Sequence, residues 1–211
     1  MLIVITDPGF RKEEAEELHR LFGEGMETLH LRKPNAAEHE YETLLRAISP
    51  EYKKRVMLHQ HHSLASKYNV KGIHLKEEYR SGLTISELRQ FRKDLRRKGM
   101  LFSSSFHSLE KMAEFEGIFD YVFLSPIFES ISKPHYLHTD LHISDFSIET
   151  TKMKVIALGG IEPAKVLSAK QMGFHGIAVL GFIWQNSFPV MQQFESVRDS
   201  YLHHFKQTLI P

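Results

Sequence analysis

The sequence predicts one (β/α)8 TIM barrel spanning residues 1–211, and three observations point to it. Short runs rich in Val, Ile and Leu alternate with longer stretches whose apolar residues recur at helical spacing. Eight such units fit in 211 residues, near the small end for this barrel. Polar residues gather at the C-terminal ends of the apolar runs, where barrels of this kind carry their chemistry. Strand–helix alternation calls for parallel strands, because a parallel crossover needs an intervening element. An open doubly wound sheet would show the same alternation. No Gly-x-Gly-x-x-Gly follows the first run, however, so a dinucleotide fold has little support.

The first unit is a strand over Leu2–Thr6 and a helix over Lys12–Phe22. The second pairs Thr28–Arg32 with Ala37–Ile48, and the third pairs Val56–Gln60 with the short Ser63–Tyr68. Gly72–Lys76 and Ile85–Lys98 make the fourth. In the fifth, Leu101–Phe106 leads through Ser108, a residue suited to an N-cap, into Leu109–Glu116. Tyr121–Ser125 opens the sixth and runs into the longest irregular stretch, 127–142, before a weak helix at Ile143–Glu149. Long loops in that position act as substrate lids in barrels. Val155–Gly159 with Pro163–Met172, and Ile177–Gly181 with Val190–Lys206, complete the set.

Charge and composition narrow the function classes. Lys+Arg total 27 against 26 Asp+Glu, a net charge of +1, which argues against nucleic-acid binding through bulk charge. The basic run from Arg89 to Lys98 has helical spacing and reads as a solvated helix face. The absence of cysteine excludes a disulfide scaffold, a thiolate nucleophile and Cys-based metal sites. No apolar segment approaches membrane-spanning length, so no membrane partner is expected and the expected location is cytoplasmic. A homo-oligomer stays open.

The strand ends define the candidate site. Gly159-Gly160 precedes Ile161-Glu162-Pro163, and Gly181 follows the eighth strand. Glycines there let backbone N–H groups approach an anion beside a helix N-terminus, which predicts a phosphate cradle; the alternative is tight turns only. Arg32 and Lys33 leave the second strand, and Ser130, Ser132 and Lys133 sit in the long loop, suggesting a second anion site. The alternative there is scattered surface cations. By period-2 alternation His30 shares a face with Arg32, Ser103 with Ser105, and His59 with His61. The run His59-Gln60-His61-His62 invites a metal reading, but the sequence names no third ligand, so no metal site is assigned. His107 lies just past the fifth strand and is a candidate acid/base, with Ser105 beside it; a capping or turn role is the alternative.

These pieces together resemble the family of thiamine phosphate synthase and the TenI-type thiazole tautomerase, from Leu2 to about Ile183. His30-Leu31-Arg32-Lys33-Pro34 resembles the family's Gln-Leu-Arg-Glu-Lys, and Gly72-Ile73-His74-Leu75 its Gly-Val-His-Leu. Ser105-Phe106-His107-Ser108-Leu109-Glu110 is similar to Ser-x-His-Ser-Leu-Glu. Ser125-Pro126-Ile127-Phe128 with Ser130-Ile131-Ser132-Lys133 resembles Gly-Pro-Val-Phe followed by Thr-x-Thr-Lys. Ala157-Leu158-Gly159-Gly160-Ile161 and Gly176-Ile177-Ala178-Val179 resemble the last two strands.

The resemblance implies small-molecule partners, a thiazole phosphate and, on the synthase side, a pyrimidine methyl pyrophosphate. Carried over, Arg32, Ser130, Ser132 and Lys133 would meet pyrophosphate, with His30, Lys33 and His59 in the same substrate region. Gly160 and Gly181 would meet the thiazole phosphate, with Gly159 beside them. The synthase uses Mg2+, but the family's metal-binding aspartates fall on Gln60 and Tyr79, with Glu78 a weak substitute. The tautomerase needs no metal and uses a histidine that aligns with His107. The sequence therefore favours a metal-free, TenI-like tautomerase. The synthase is the alternative, supported by the Ser130-x-Ser132-Lys133 loop, and a non-catalytic phosphate-binding barrel is a further one.

Overall fold

Eight parallel strands close into a barrel in chain order in the computed structural model, which describes residues 1–128, 148, 151, 153–185 and 188–206. They are β1 (Leu2–Ile5), β2 (Thr28–Leu31), β3 (Val56–Leu58), β4 (Gly72–Leu75), β5 (Leu101–Phe106), β6 (Tyr121–Leu124), β7 (Lys154–Leu158) and β8 (Gly176–Val179). β1 pairs with β8 through Leu2↔Ile177, so no strand edge is left open. The strands are nearly all apolar because both faces are covered. Their outward side chains join the helices in one core that includes Val4, Leu29, Leu58, Val122 and Val155. Their inward side chains form a second, smaller cluster of Ile3, Ile5, Met57, Tyr121, Phe123, Ile156 and Ala178 inside the barrel.

The helices wrap the outside: α1 (Glu14–Gly23), α2 (Glu38–Ala47), α3 (Pro50–Lys53), α4 (Leu64–Tyr68), α5 (Glu77–Ser81), α6 (Ile85–Arg97), α7 (Leu109–Ala113), α8 (Val166–Gln171), α9 (Gly181–Trp184) and α10 (Val190–Tyr201). A 3-10 turn at Pro163–Lys165 leads into α8, and a π-helical turn at Leu202–Lys206 ends α10. Local chemistry sets several starts. Thr84 caps α6 by accepting from the Glu87 N–H, and the Glu87 carboxylate accepts from the Thr84 N–H in return. Ser108 caps α7 by accepting from the Lys111 N–H, as the sequence suggests. The basic run lies on α6, with Leu88 and Leu95 buried beneath it, Arg92 paired with Asp120 and Arg97 with Asp94.

All eight predicted strands are present, several ending one or two residues early. The residues just beyond five of the ends, Thr6, Arg32, His59, Lys76 and Ser125, are polar and turn into loops. Thr6 shows why: its hydroxyl donates to the Arg32 carbonyl (3.0 Å) and accepts from the Arg32 N–H (2.9 Å), tying two strand ends together instead of extending them. Helices α3, α5 and α9 were not expected, because elements of four or five residues leave too few turns for a period to register. Of the predicted helix at 143–149, only Ile148 lies within the described residues, and it is buried.

Candidate functional site

The polar part of the barrel interior comes from β2, β4, β5 and β6 and from the end of β3, which lies between the first two. Alternation turns His30 of β2, His74 of β4, Ser103 and Ser105 of β5 and Tyr121 of β6 inward, and His59 follows β3. His30 Nδ1 lies 2.8 Å from His59 Nε2, and His30 Nε2 lies 2.6 Å from the Tyr121 hydroxyl. His74 is held at both nitrogens, Nδ1 by the Ser103 hydroxyl at 2.9 Å and Nε2 by the Ser105 hydroxyl at 2.8 Å. The His59 and His74 rings stack with centroids 4.1 Å apart. All three imidazoles are buried. Burial holds His30 and His59 well below the usual histidine range, with their imidazole neighbours adding to the effect, and pulls His74 down to about 3. These are neutral rings that offer lone pairs and N–H groups rather than charge.

Above this layer lies the mouth. Arg32 is half-buried, burial lowers its pKa, and its charge bears on both His59 and His74. Among the described residues no carboxylate forms a salt bridge with it. Lys33 corrects the expectation that it meets pyrophosphate. Its side chain is 1% exposed, and its ammonium donates to Glu14 Oε1 (2.6 Å) and to the carbonyls of Asp7 and Gly9. Those acceptors match its three donors, so it braces the β1–α1 loop instead of offering charge to a ligand.

His61 departs from the face it was expected to share with His59. It adopts a left-handed conformation (φ 50), which breaks the alternation, and its Nε2 lies 2.9 Å from the Ala36 carbonyl. His107 stands half-exposed past β5. Its Nδ1 donates to the Ser125 carbonyl at 2.6 Å, and its Nε2 lies 3.3 Å from Glu77 Oε2. The Ser125 carbonyl therefore fixes the ring through Nδ1–H, and the Glu77 carboxylate accepts from Nε2 only when the imidazole carries a second proton.

The glycines after β7 form a tight turn with an open backbone. Gly159 and Gly160 have φ of 97° and 62°, and a Cβ on Gly159 would come within 2.9 Å of the Pro126 Cα. Gly159 thus lets the β6 and β7 ends approach. Among the described residues the Gly160 N–H donates to no backbone carbonyl. Gly181 is the first residue of α9, where helix geometry leaves N–H groups unsatisfied. These donors face the same end of the barrel as His107, since Ser125, bonded to His107, adjoins Pro126.

The positions the family uses for magnesium do not fit that ion here. Gln60 Oε1 accepts from the Lys33 N–H at 3.3 Å, and its buried Nε2 is a donor without a partner, a poor neighbour for a cation. Tyr79 is exposed with its ring against His62, Glu78 is exposed, and the nearby Glu77 carboxylate is engaged by Arg80 and His107.

The fold thus gathers His30, His59, Ser105 and Arg32 in and above one interior layer, and sets His107, Gly159 and Gly160 along one rim. Ser130, Ser132 and Lys133 lie outside the described residues. Sequence reasoning left His74 and Tyr121 out of the site. The signal was present for His74, because alternation from Gly72 turns it inward, but nothing in the sequence showed Tyr121 closing on His30.

Comparison with known proteins follows the same lines. The chain matches the thiamine monophosphate synthase family, TMP-TENI, over residues 2–183. It is 28% identical over 183 residues to an Aquifex aeolicus protein provisionally named thiamine-phosphate synthase 2, covering 84% of this chain and 94% of that one. It is 25% identical over 169 residues to a Nitrosococcus oceani protein named thiamine-phosphate synthase, covering 79% and 72%. A crystal structure of thiamine phosphate pyrophosphorylase from Bacteroides thetaiotaomicron superposes with a TM-score of 0.71 and 30% identity, covering 96% and 98%. With a match that runs from the first strand to the helix after the last, the chain belongs to the thiamine monophosphate synthase family.

Proposed function

We propose that this protein works as a thiamine-phosphate synthase, joining a pyrimidine methyl diphosphate to a thiazole phosphate with release of diphosphate. The observation that carries this reading is the family match over 2–183, which takes in every strand end that builds the mouth, together with relatives named for that reaction. It reverses the order the sequence suggested, in which the tautomerase led. The C–O bond between the methylene and the diphosphate breaks with its electron pair leaving on diphosphate oxygen, and the thiazole nitrogen supplies the pair for the new C–N bond. Arg32 is the residue assigned to the leaving diphosphate in this reading, since a guanidinium binds such oxygens through a fork of N–H groups. The N–H groups at Gly160 and Gly181 are suited to the thiazole phosphate. The neutral layer beneath is suited to a polar, uncharged heterocycle. No step is assigned to magnesium, because its carboxylate ligands are missing.

One observation favours a second reading, the thiazole tautomerase. His107, fixed by the Ser125 carbonyl with Nε2 beside the Glu77 carboxylate, is a residue type suited to moving a proton without a metal. The deciding assay supplies both synthase substrates, with magnesium or with chelator, and separately the thiazole tautomer. Thiamine phosphate formation is the expected result. Turnover of the tautomer alone, lost in His107→Ala, would replace the synthase reading with the tautomerase. Failure of both reactions, with thiazole phosphate still raising the melting temperature, would reduce the protein to a binding barrel. Under the synthase reading, Arg32→Ala removes charged hydrogen bonds worth about 1.5–3 kcal/mol and raises KM for the diphosphate substrate about tenfold or more.

A further inference from the structure

We propose that His30, His59 and His74 form a binding site for a borderline-soft divalent transition metal, zinc first among them, inside the barrel. This inference does not rest on the reaction proposed above. One ring nitrogen from each histidine lies within 4.8 Å of the other two, and all three residues are buried. A tetrahedral zinc with Zn–N bonds of about 2.0–2.1 Å sets its ligand nitrogens about 3.4 Å apart. His30 Nδ1 and His59 Nε2 share a hydrogen bond at 2.8 Å, so an ion between them takes the place of its proton and parts the nitrogens by about half an ångström. The His74 ring stands 4.1 Å from His59 and 5.2 Å from His30, centroid to centroid. Rotations about χ2, a broad torsion for histidine, turn the lone pairs toward one point.

Two of the three ligands, His30 and His74, have the outer partners that a ligating histidine needs. The Tyr121 hydroxyl, 2.6 Å from His30 Nε2, takes the N–H that leaves Nδ1 bare for the ion. Ser103 and Ser105 hold the two nitrogens of His74, so one keeps the outer N–H while the other yields its nitrogen to the metal. The ligands come from β2, the end of β3 and β4, which are adjacent strands in fixed register.

Ligand chemistry selects the ion. Three imidazoles and no carboxylate suit zinc, cobalt, nickel or copper and reject magnesium, which demands hard oxygens. Three histidines leave a fourth position, as in catalytic rather than structural zinc sites. The Arg32 charge, felt at both His59 and His74, favours an anionic oxygen there, a hydroxide or a phosphate oxygen. The sequence assigns no metal site because nothing in it names a third ligand to join His59 and His61. The second and third ligands come instead from the neighbouring strands.

The test is metal binding by the full chain, freed of metal with chelator and titrated with Co2+ as a spectroscopic probe. One equivalent is expected to bind with the visible absorption of a low-coordinate cobalt–nitrogen site. Zn2+ should displace it and raise the melting temperature. His59→Asn and His74→Asn should each abolish the band, while His61→Ala, outside the cluster, should leave it. Should either histidine variant fail to fold, Tyr121→Phe still reports, through affinity weakened about tenfold or more by loss of its outer-shell contact. Absence of the visible band in folded wild-type protein would overturn the proposal. So would a band that survives in folded His59→Asn and His74→Asn, because the metal would then sit elsewhere.

Discussion

Lys33 shows how a single side chain can look like a ligand and serve as a brace. Its ammonium and the Glu14 carboxylate are 1% and 3% exposed and meet at 2.6 Å. Burial pushes Lys33 down and Glu14 up, toward the neutral forms, and each partner pulls the other back toward its charged form. Such a pair adds little over a well-packed apolar pair, but removing one member strands a buried charge. Lys33→Met is therefore expected to cost about 3–5 kcal/mol in urea unfolding, and the double variant Lys33→Met/Glu14→Leu to recover most of that loss. If the single variant cost less than about 1 kcal/mol, the lysine would be available for a ligand after all.

At the scale of an element, the end of β7 couples packing to the proposed phosphate site. Gly159 adopts φ 97° and leaves no room for a Cβ against Pro126, and its carbonyl accepts the Phe128 N–H at 3.2 Å. Gly159→Ala introduces backbone strain of about 1–2 kcal/mol and also presses on Pro126. The expected result is a lower melting temperature and a raised KM for the thiazole phosphate, with KM for the pyrimidine diphosphate changed little. Equal effects on both substrates would show that the turn shapes the whole mouth rather than one phosphate site. The sequence pattern marked this turn clearly, because paired glycines between a strand and a proline have few other uses. It did not show the contact with Pro126, which is made across two strand ends.

Across the whole molecule, the buried histidines link stability to pH. His30 and His59 are held well below the histidine range and His74 near 3, while the unfolded chain titrates near 6.5. Above pH 7 these rings are neutral in both states, so they leave stability unchanged. Below 6.5 the unfolded chain takes up protons that the folded barrel refuses, and stability falls as pH drops toward 3. Each histidine contributes a slope of up to about 1.4 kcal/mol per pH unit. Urea unfolding between pH 7.5 and 4.5, with chelator present, should show a plateau followed by this decline. A profile flat down to pH 5 would mean that the rings accept protons inside the barrel.

Hydropathy period was enough for a parallel sheet covered by helices, and the count of eight units with no Gly-x-Gly-x-x-Gly after the first run favoured the barrel over an open doubly wound sheet. Strand-end positions such as Arg32, His107 and Gly159 were legible too, because alternation and turn chemistry are local. What could not be read locally was commitment. Lys33 and Arg32 are neighbours with like charge, yet one is locked to Glu14 and the other has no salt bridge among the described residues. His59 and His61 sit two apart, yet one positive φ sends them to different surroundings. The three-histidine layer exists only because closing the sheet brings β2, β3 and β4 side by side, at separations of 29 and 15 residues between its members. Pairing across such distances is set by strand register and ring orientation, which no local pattern encodes.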